Sequence, residues 1–218
     1  MDLSVIWTFL RRLFSFDPNS PLLFTQFYFW AFFAIVYAVF ALIGDRRLLR
    51  NSFLFFTSLL FYFKTSGLSV LILIFVTCSD FLIARRIAAS DERGKRRAWL
   101  VLSVCVDLLL LCYFKYSYFF ADLLYSLTGV QIKVTDVFGA LGNAIAGREL
   151  FRVDSIVLPV GISFFIFQVI SYTVDVYRRE VKPVDNILDF GFYVSFFPQL
   201  VAGPIVRASE FIPQLYKP

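Results

Sequence analysis

The sequence contains no histidine in its 218 residues. Two kinds of chemistry are therefore excluded within this chain: metal ions held by imidazole groups and general-base catalysis by a histidine. Cysteine is also scarce. The three cysteines, Cys78, Cys105 and Cys112, all lie in apolar runs, where single cysteines commonly pack as small hydrophobic residues. We therefore expect neither a disulfide framework nor a metal site.

Charged residues are few as well, at 17% of the chain, whereas 59% of the residues are hydrophobic and 20% are aromatic. A soluble domain is nearer half apolar and cannot bury 29 phenylalanines. A bilayer accommodates them, so we expect an all-α, polytopic bundle of transmembrane helices in contact with membrane lipid. The net charge of +5 is divided among short basic blocks between apolar runs. This pattern argues against nucleic acid as a partner.

Apolar runs bounded by charged residues predict about six spans. Most are long enough to cross a bilayer as a helix, although the second contains only 13 residues. The predicted spans are Leu22–Gly44, Asn51–Phe63, Leu68–Ala84, Ala98–Phe114, Ser155–Val174 and Ile187–Val206. We interpret residues 1–218 as a single membrane domain, with an interfacial helix at 1–16 and a loop or interfacial segment at 121–154.

Basic residues between the spans predict the orientation. Loops 44–50, 85–97 and 175–186 carry three, six and three Lys or Arg residues. Alternate crossing puts all three loops on the same side of the membrane. Because positively charged loops stay in the cytoplasm, this side is predicted to be cytoplasmic and the N-terminus external.

Polar residues of the fifth predicted span fall on one side of a helix. With 3.6 residues per turn they occupy an arc of about 60°, which we call the polar face: Gly161, Gln168, Tyr172, Asp175 and Arg179. Isoleucine and valine fill the opposite side. An amide and a carboxylate are costly in lipid, so the polar face should turn inward. Two interpretations stay open: a contact between packed helices and the wall of a water-filled cavity.

The segment SFFPQLVAGPIVR, residues 195–207, is broken twice. Pro198 removes a backbone donor, and Gly203 with Pro204 interrupts the run again. Helices broken at membrane depth survive where protein or a cavity satisfies the freed backbone groups. The two breaks, together with Gln199, therefore favour a specialised feature over a simple kink.

Two aspartates lie within predicted spans. Asp107 is near mid-span and needs a partner there, and Lys64 or Lys115 is within reach from a helix end. Asp80 is expected to cap its span or to pair with the arginines that follow it. We predict structural pairs in preference to a proton relay.

Three long stretches carry a resemblance to a known family: LPVGISFFIFQVISYTVDVYRRE at 158–180, FGFYVSFFPQLVAGPIVRASEFIPQL at 190–215 and LLLCYFKYSYFF at 109–120. They closely resemble the membrane-bound O-acyltransferases. The similarity is greatest to the bacterial branch that contains alginate O-acetyltransferase and the D-alanyl transfer protein for teichoic acids. It covers nearly the whole chain and is strongest over residues 100–216.

The resemblance implies a bundle of spans around a tunnel in the bacterial cytoplasmic (inner) membrane. It implies a cytoplasmic acyl donor, such as acetyl-CoA or an acyl carrier protein, as a substrate, with no bound cofactor. The acceptor would be a hydroxyl group of an extracytoplasmic polysaccharide or cell-envelope polymer, and an extracytoplasmic acyltransferase would be a partner. The family's base is a histidine in its second half. This chain therefore resembles the N-terminal half, lacks a catalytic residue, and would need the C-terminal half for activity.

The resemblance also selects candidate site residues. The candidates for the tunnel wall are Gln168, Ser171, Tyr172, Asp175, Pro198, Gln199, Gly203 and Pro204. The candidates for the cytoplasmic donor side are Arg178, Arg179 and Arg207. Two other functions stay open: a fragment of a transporter or channel, in which broken helices mark substrate sites, and a non-catalytic membrane scaffold.

Overall fold

The computed structural model describes residues 27–44, 46–147, 149, 153–203 and 206–216. All regular elements in these ranges are helical, which confirms the all-α class. The α-helices are α1 (Phe27–Ile43), α2 (Arg47–Ser66), α3 (Val70–Ala89), α4 (Arg93–Leu111), α5 (Ser117–Thr128), α6 (Val137–Ala146), α7 (Ile162–Arg178), α8 (Ile187–Ser195), α9 (Phe197–Ala202) and α10 (Ala208–Leu215). The interfacial helix predicted at 1–16 lies outside the described residues.

Two helical stretches are long and apolar enough to cross a membrane. The first is Arg47–Ala89, with 43 residues, and the second is Arg93–Thr128, with 36 residues. In the first, a 3₁₀ turn at Gly67–Ser69 joins α2 to α3, and Gly67 adopts a positive φ of 59° that glycine tolerates without steric cost. In the second, α4 passes into α5 through one wide π-helical turn, Cys112–Tyr116. These stretches indicate a membrane protein.

The prediction of about six separate spans is not supported. The second and third predicted spans lie together in the first long stretch. The fifth corresponds to α7, whose 17 residues extend about 26 Å at 1.5 Å per residue. The sixth is divided between α8 and α9, of nine and six residues. It divides because Phe196 leaves the helical conformation (ψ 104°) and Pro198 has no N–H with which to continue the helix.

The segment predicted as a loop or interfacial region at 121–154 contains the end of α5 and all of α6. The Asp136 side chain caps α6 by accepting a hydrogen bond from the Gly139 amide at 3.0 Å. The Tyr113 hydroxyl donates to the Asp136 carboxylate at 3.0 Å and accepts from the Val137 amide at 2.8 Å. The start of α6 is therefore attached to the turn between α4 and α5. A position at the membrane interface stays a prediction.

The core is formed by packing of α7 and α8 against the long helices. α7 contacts α3 and α4, and α8 contacts α2 and α3. The largest side chains of this core are fully buried: Tyr62, Leu73, Ile87, Phe165, Tyr172, Phe190 and Tyr193. A second, smaller cluster of aromatic rings ties α9 to α1 and α2: Phe29, Phe32, Phe61 and Phe197.

Two of the basic loops lie side by side. The Arg96 guanidinium donates a hydrogen bond to the Tyr177 carbonyl oxygen and lies 5.1 Å from the centre of the Tyr177 ring. Arg179 Nη2 is 3.9 Å from Asp91 Oδ1. Loops 85–97 and 175–186 are therefore at the same end of the bundle, as the predicted orientation requires. The cytoplasmic assignment of that end stays a prediction.

Candidate functional site

Three residues of the polar face are buried, as its composition predicted, whereas Gly161 is half-buried and Arg179 is exposed. Gln168 is 3% exposed, Tyr172 is fully buried and Asp175 is 9% exposed. The opposite side of α7 is buried too, however, at Ile162, Ile166 and Val169. The exposed stripe of α7 lies between these two sides and carries Phe164 and Phe167. Burial therefore places the polar face against protein but does not distinguish a cavity wall from a helix contact.

Gln168 contacts the broken end of α8. Its Nε2 atom donates a hydrogen bond to the Tyr193 carbonyl oxygen at 2.8 Å. The last carbonyl groups of a helix have no intrahelical hydrogen-bond partners. Because α8 ends at Ser195 in a buried region, its last carbonyl groups need donors from elsewhere in the protein. The side-chain amide of Gln168 supplies a donor there. This contact is a link between packed helices, the first of the two interpretations given above.

The Tyr172 hydroxyl is held by the loop that follows α7. It accepts a hydrogen bond from the Val184 amide at 3.0 Å. Its ring packs against Phe190 of α8, with 4.7 Å between the ring centres. Ser171, the next candidate on α7, is half-buried. Tyr172 therefore joins α7, α8 and the loop, whereas Ser171 lies at the edge of the buried region.

Asp175 lies in the last turn of α7, close to the charged candidates of the donor side. Arg179 ends the helix in the left-handed conformation, with φ 64°. Burial, followed by the charge of Glu180, raises the pKa of Asp175, while Arg207 and Arg178 lower it. The fold thus brings Arg178 and Arg207 within electrostatic range of Asp175. Arg179 turns toward Asp91 instead.

The remaining tunnel-wall candidates come at or after the helix break at 196–198 in the sequence. Pro198 lies in the first turn of α9, where a missing N–H costs least. A Cβ atom on Gly203 would lie 2.6 Å from the Cα atom of Gln199, so glycine permits this close turn. Pro204 is outside the described residues. Gln199 is buried, and its Nε2 atom has no hydrogen-bond partner in the described part of the chain. Among the described tunnel-wall candidates, Gln199 is the residue with a buried donor that lacks a partner.

A cavity of about 470 Å³ lies beside this break, between α1, α2 and the C-terminal helices. Aromatic rings, among them those of Phe196 and Phe197, form much of its wall. Pro198, Arg50 and Asn51 also line it. The Asn51 amide donates to Asp189 Oδ1 at 2.8 Å. Pro198 is the one sequence-predicted candidate in the wall. Asn51 and Asp189 were missed because each looks like an ordinary helix-end residue in the sequence.

The predicted partners of the membrane aspartates are wrong. Both oxygens of Asp107 are buried without a hydrogen-bond partner in the described residues, so neither Lys64 nor Lys115 pairs with it there. Asp107 lies one turn from Ser103, whose hydroxyl group bonds Asp80. Asp80 accepts hydrogen bonds from Ser103 and Thr173 in place of pairing with arginines. No sequence pattern indicates this arrangement, because the two aspartates are 27 positions apart on different helices.

The chain is similar to O-acetyltransferases over most of its length. It is 34% identical over 188 residues to the "Probable alginate O-acetylase AlgI" of Pseudomonas aeruginosa, an alignment that covers 86% of this chain and 33% of that protein. The Azotobacter vinelandii protein of the same name is 39% identical over 143 residues, covering 64% of this chain and 25% of the relative.

A peptidoglycan O-acetyltransferase of Helicobacter pylori is 28% identical over 229 residues, covering 94% of this chain and 40% of the relative. No family model and no solved structure matches the chain. The chain spans about a third of the length of the first curated relatives. These matches confirm the resemblance stated from the sequence: the chain is similar to alginate and peptidoglycan O-acetyltransferases, as expected for the membrane-bound O-acyltransferase family.

Proposed function

We propose that this chain is part of a membrane-bound O-acyltransferase. The enzyme would move an acyl group, acetyl in the first instance, from a cytoplasmic donor to a hydroxyl group of an extracytoplasmic polysaccharide or cell-envelope polymer. The observation that carries this proposal is the similarity to O-acetylases across 86% of the chain. Two relatives act, by name, on different polymers, alginate and peptidoglycan. The acceptor class is therefore a polysaccharide hydroxyl, and the particular polymer stays open.

The proposed setting is the bacterial inner membrane, with the chain crossing it several times. The two long helical stretches support membrane insertion. Basic loops 85–97 and 175–186 lie together, and we assign their side to the cytoplasm. Exposed arginines at the end of α7 would then face a donor with phosphate groups or an acidic carrier surface. Acetyl-CoA and an acyl carrier protein are both donors of this kind.

The proposed division of labour gives this chain a supporting role. No histidine is present, so the base that deprotonates the acceptor hydroxyl would come from residues of the protein other than these. Residues 158–207 would form part of the tunnel wall and the donor entrance. Gln199, with its buried and unpartnered amide, is the residue we assign to a substrate contact. An extracytoplasmic acyltransferase would complete the transfer to the polymer.

A transfer assay with a membrane-level control tests this proposal. We would introduce Gln168→Ala and Gln199→Ala into the chromosomal gene and supply membranes with radiolabelled acetyl-CoA. We expect Gln199→Ala to lower polymer labelling more than it lowers the protein's level in the membrane. A parallel loss of labelling and of protein in both variants would assign both glutamines to helix packing. Unchanged labelling at an unchanged level would remove Gln199 from the site.

A further inference from the structure

A buried polar network joins α3, α4 and α7 within the long helical stretches. Its members are Asp80, Ser103, Asp107 and Thr173, and none is more than 1% exposed. Ser103 and Asp107 are four residues apart on α4, so they share one face of that helix. That face points at Asp80 of α3 and Thr173 of α7. The network therefore lies where three core helices meet.

Asp80 is the acceptor at the centre of the network. The hydroxyl groups of Ser103 and Thr173 both donate to its Oδ1 atom, the latter at 3.4 Å. Asp107, one turn from Ser103 on α4, brings its carboxyl group to the same place, and both of its oxygen atoms are buried without a hydrogen-bond partner in the described residues. The ion pairs seen among the described residues include Lys95–Glu92, Arg178–Glu180 and Arg179–Asp91. Neither network aspartate belongs to one of them.

A hydrogen bond between the two carboxyl groups requires a proton. Ionised carboxylates have only acceptor atoms, and without a shared proton both oxygens of Asp107 lack a donor in the described part of the chain. Ionisation of both carboxyl groups is strongly disfavoured, because it would place two negative charges side by side in a buried site. The donors Ser103 and Thr173 stabilise a charge on Asp80. The proton therefore belongs on Asp107.

We propose that Asp80 and Asp107 form a proton-sharing pair, in which the Asp107 carboxyl group donates a hydrogen bond to the Asp80 carboxylate. Through Thr173 the pair holds α7 against α3 and α4. Asp107 is thus a positioning residue for the polar face of α7. The link to transfer rests on the function proposed above, whereas the protonated pair does not.

Four other titratable or charged groups on or next to these helices have partners elsewhere. On α7, the Tyr172 hydroxyl accepts from the Val184 amide, and Asp175 is under the influence of Arg178 and Arg207. On α3, the Arg85 guanidinium lies 5.6 Å from the centre of the Phe81 ring. Beyond α4, Lys115 lies over the Tyr116 ring at 5.4 Å. Within the described residues, a proton on Asp107 is therefore the means we propose for joining the two carboxyl groups.

Infrared difference spectroscopy tests the pair without an activity assay. We would compare the protein with Asp107→Asn in detergent at neutral pH. We expect a C=O stretching band of a protonated carboxyl group in the parent that is absent from Asp107→Asn. Asp122→Asn, at an exposed position of α5, is the matched control and should keep the band. A parent without the band, or a band that persists in Asp107→Asn, would overturn the proposal.

Activity of two variants tests the positioning role. Asp107→Asn keeps a donor toward Asp80, so polymer acetylation should stay within about twofold of the parent. Asp107→Leu has a similar volume and no donor, so the hydrogen bond to a charged group is lost and we expect polymer acetylation to fall roughly tenfold or more. Membrane levels of both variants would be measured alongside.

The outcomes separate the two proposals. Equal losses in Asp107→Asn and Asp107→Leu would overturn the proton-donor role, and full activity in both would overturn the positioning role. If Asp107→Leu does not accumulate, Asp107→Asn and the infrared band still decide the matter. A parent that shows the band but transfers no acetyl group would refute the proposed function and leave the pair intact.

Discussion

The side-chain amide of Gln168 donates a hydrogen bond to the backbone carbonyl oxygen of Tyr193 at 2.8 Å. The contact connects the middle of α7 to the end of α8, just before the chain breaks at Phe196. A polar side chain in an apolar helix thus donates to a backbone group 25 positions later in the sequence. This relationship makes the α7–α8 contact the part of the fold on which the candidate site depends.

Replacing Gln168 by methionine should destabilise the protein. Methionine has a similar length but no donor, so the buried Tyr193 carbonyl would lose its partner at a cost of about 1–3 kcal/mol. Thermal unfolding in detergent measures the loss. Gln214 is the control, because its exposed amide also donates to a backbone carbonyl, that of Glu210. Gln214→Met should change the unfolding free energy by less than about 0.5 kcal/mol, and an equal effect at both positions would refute the role of Gln168.

Gly161→Ala should be far more damaging than Gly129→Ala. Both glycines have nearly the same positive φ, 71° and 72°, but a Cβ atom at Gly161 would lie 2.4 Å from the Leu200 carbonyl oxygen, whereas space around Gly129 is open. Both variants carry the left-handed penalty of about 1–2 kcal/mol. Gly161→Ala alone adds a clash between α7 and α9, typically about 1–3 kcal/mol more. Similar melting temperatures for the two variants would contradict the close approach of these helices.

Tyr172→Phe should weaken the attachment of the loop after α7. The phenyl ring keeps its packing on Phe190, but the buried Val184 amide loses its acceptor, which costs about 1–3 kcal/mol. Unfolding in detergent and faster amide exchange at Val184 would report the change. Tyr125, whose side chain is exposed on α5, supplies the control variant Tyr125→Phe. Unaltered exchange at Val184 in Tyr172→Phe would count against the hydrogen bond.

Arg96→Lys should loosen the contact between the two basic loops without changing net charge. The guanidinium both bonds the Tyr177 carbonyl and covers the Tyr177 ring, a combination that lysine does not reproduce. Hydrogen exchange over residues 177–186 should therefore become faster. Arg93→Lys, at an exposed position one turn earlier, should leave it unchanged. If both variants exchange alike, Arg96 does not hold the loops together.

Helical periodicity predicted that Gln168, Tyr172 and Asp175 are buried, because a polar arc on an apolar helix must turn away from lipid, but it did not predict that the opposite side of α7 is buried as well. It could not predict what Gln168 and Tyr172 contact. Their partners, Tyr193 and Val184, are backbone groups, and any residue type offers the same backbone atoms. The sequence therefore located the side chains and left open whether they line a cavity or pack helices.

The errors have equally specific causes. Asp107 was expected to find a lysine, since opposite charge is the usual partner of a carboxylate in a membrane. The fold provides Asp80 instead, and a shared proton makes that contact favourable. The span count failed because hydropathy measures the length of an apolar run but not its continuity. Pro198 did signal the break that divides α8 from α9, and Gly203 signalled the end of α9.

The O-acetyl content of cell-envelope polymers tests the central claim most directly. Acetate released by mild alkali would be measured from exported polysaccharide and from peptidoglycan, in the parent strain, an in-frame deletion and the complemented deletion. We predict that the deletion removes O-acetyl groups from one of these polymers and that complementation restores them. Unchanged acetate in both polymers of the deletion strain would contradict the assignment of this protein to polymer O-acetylation.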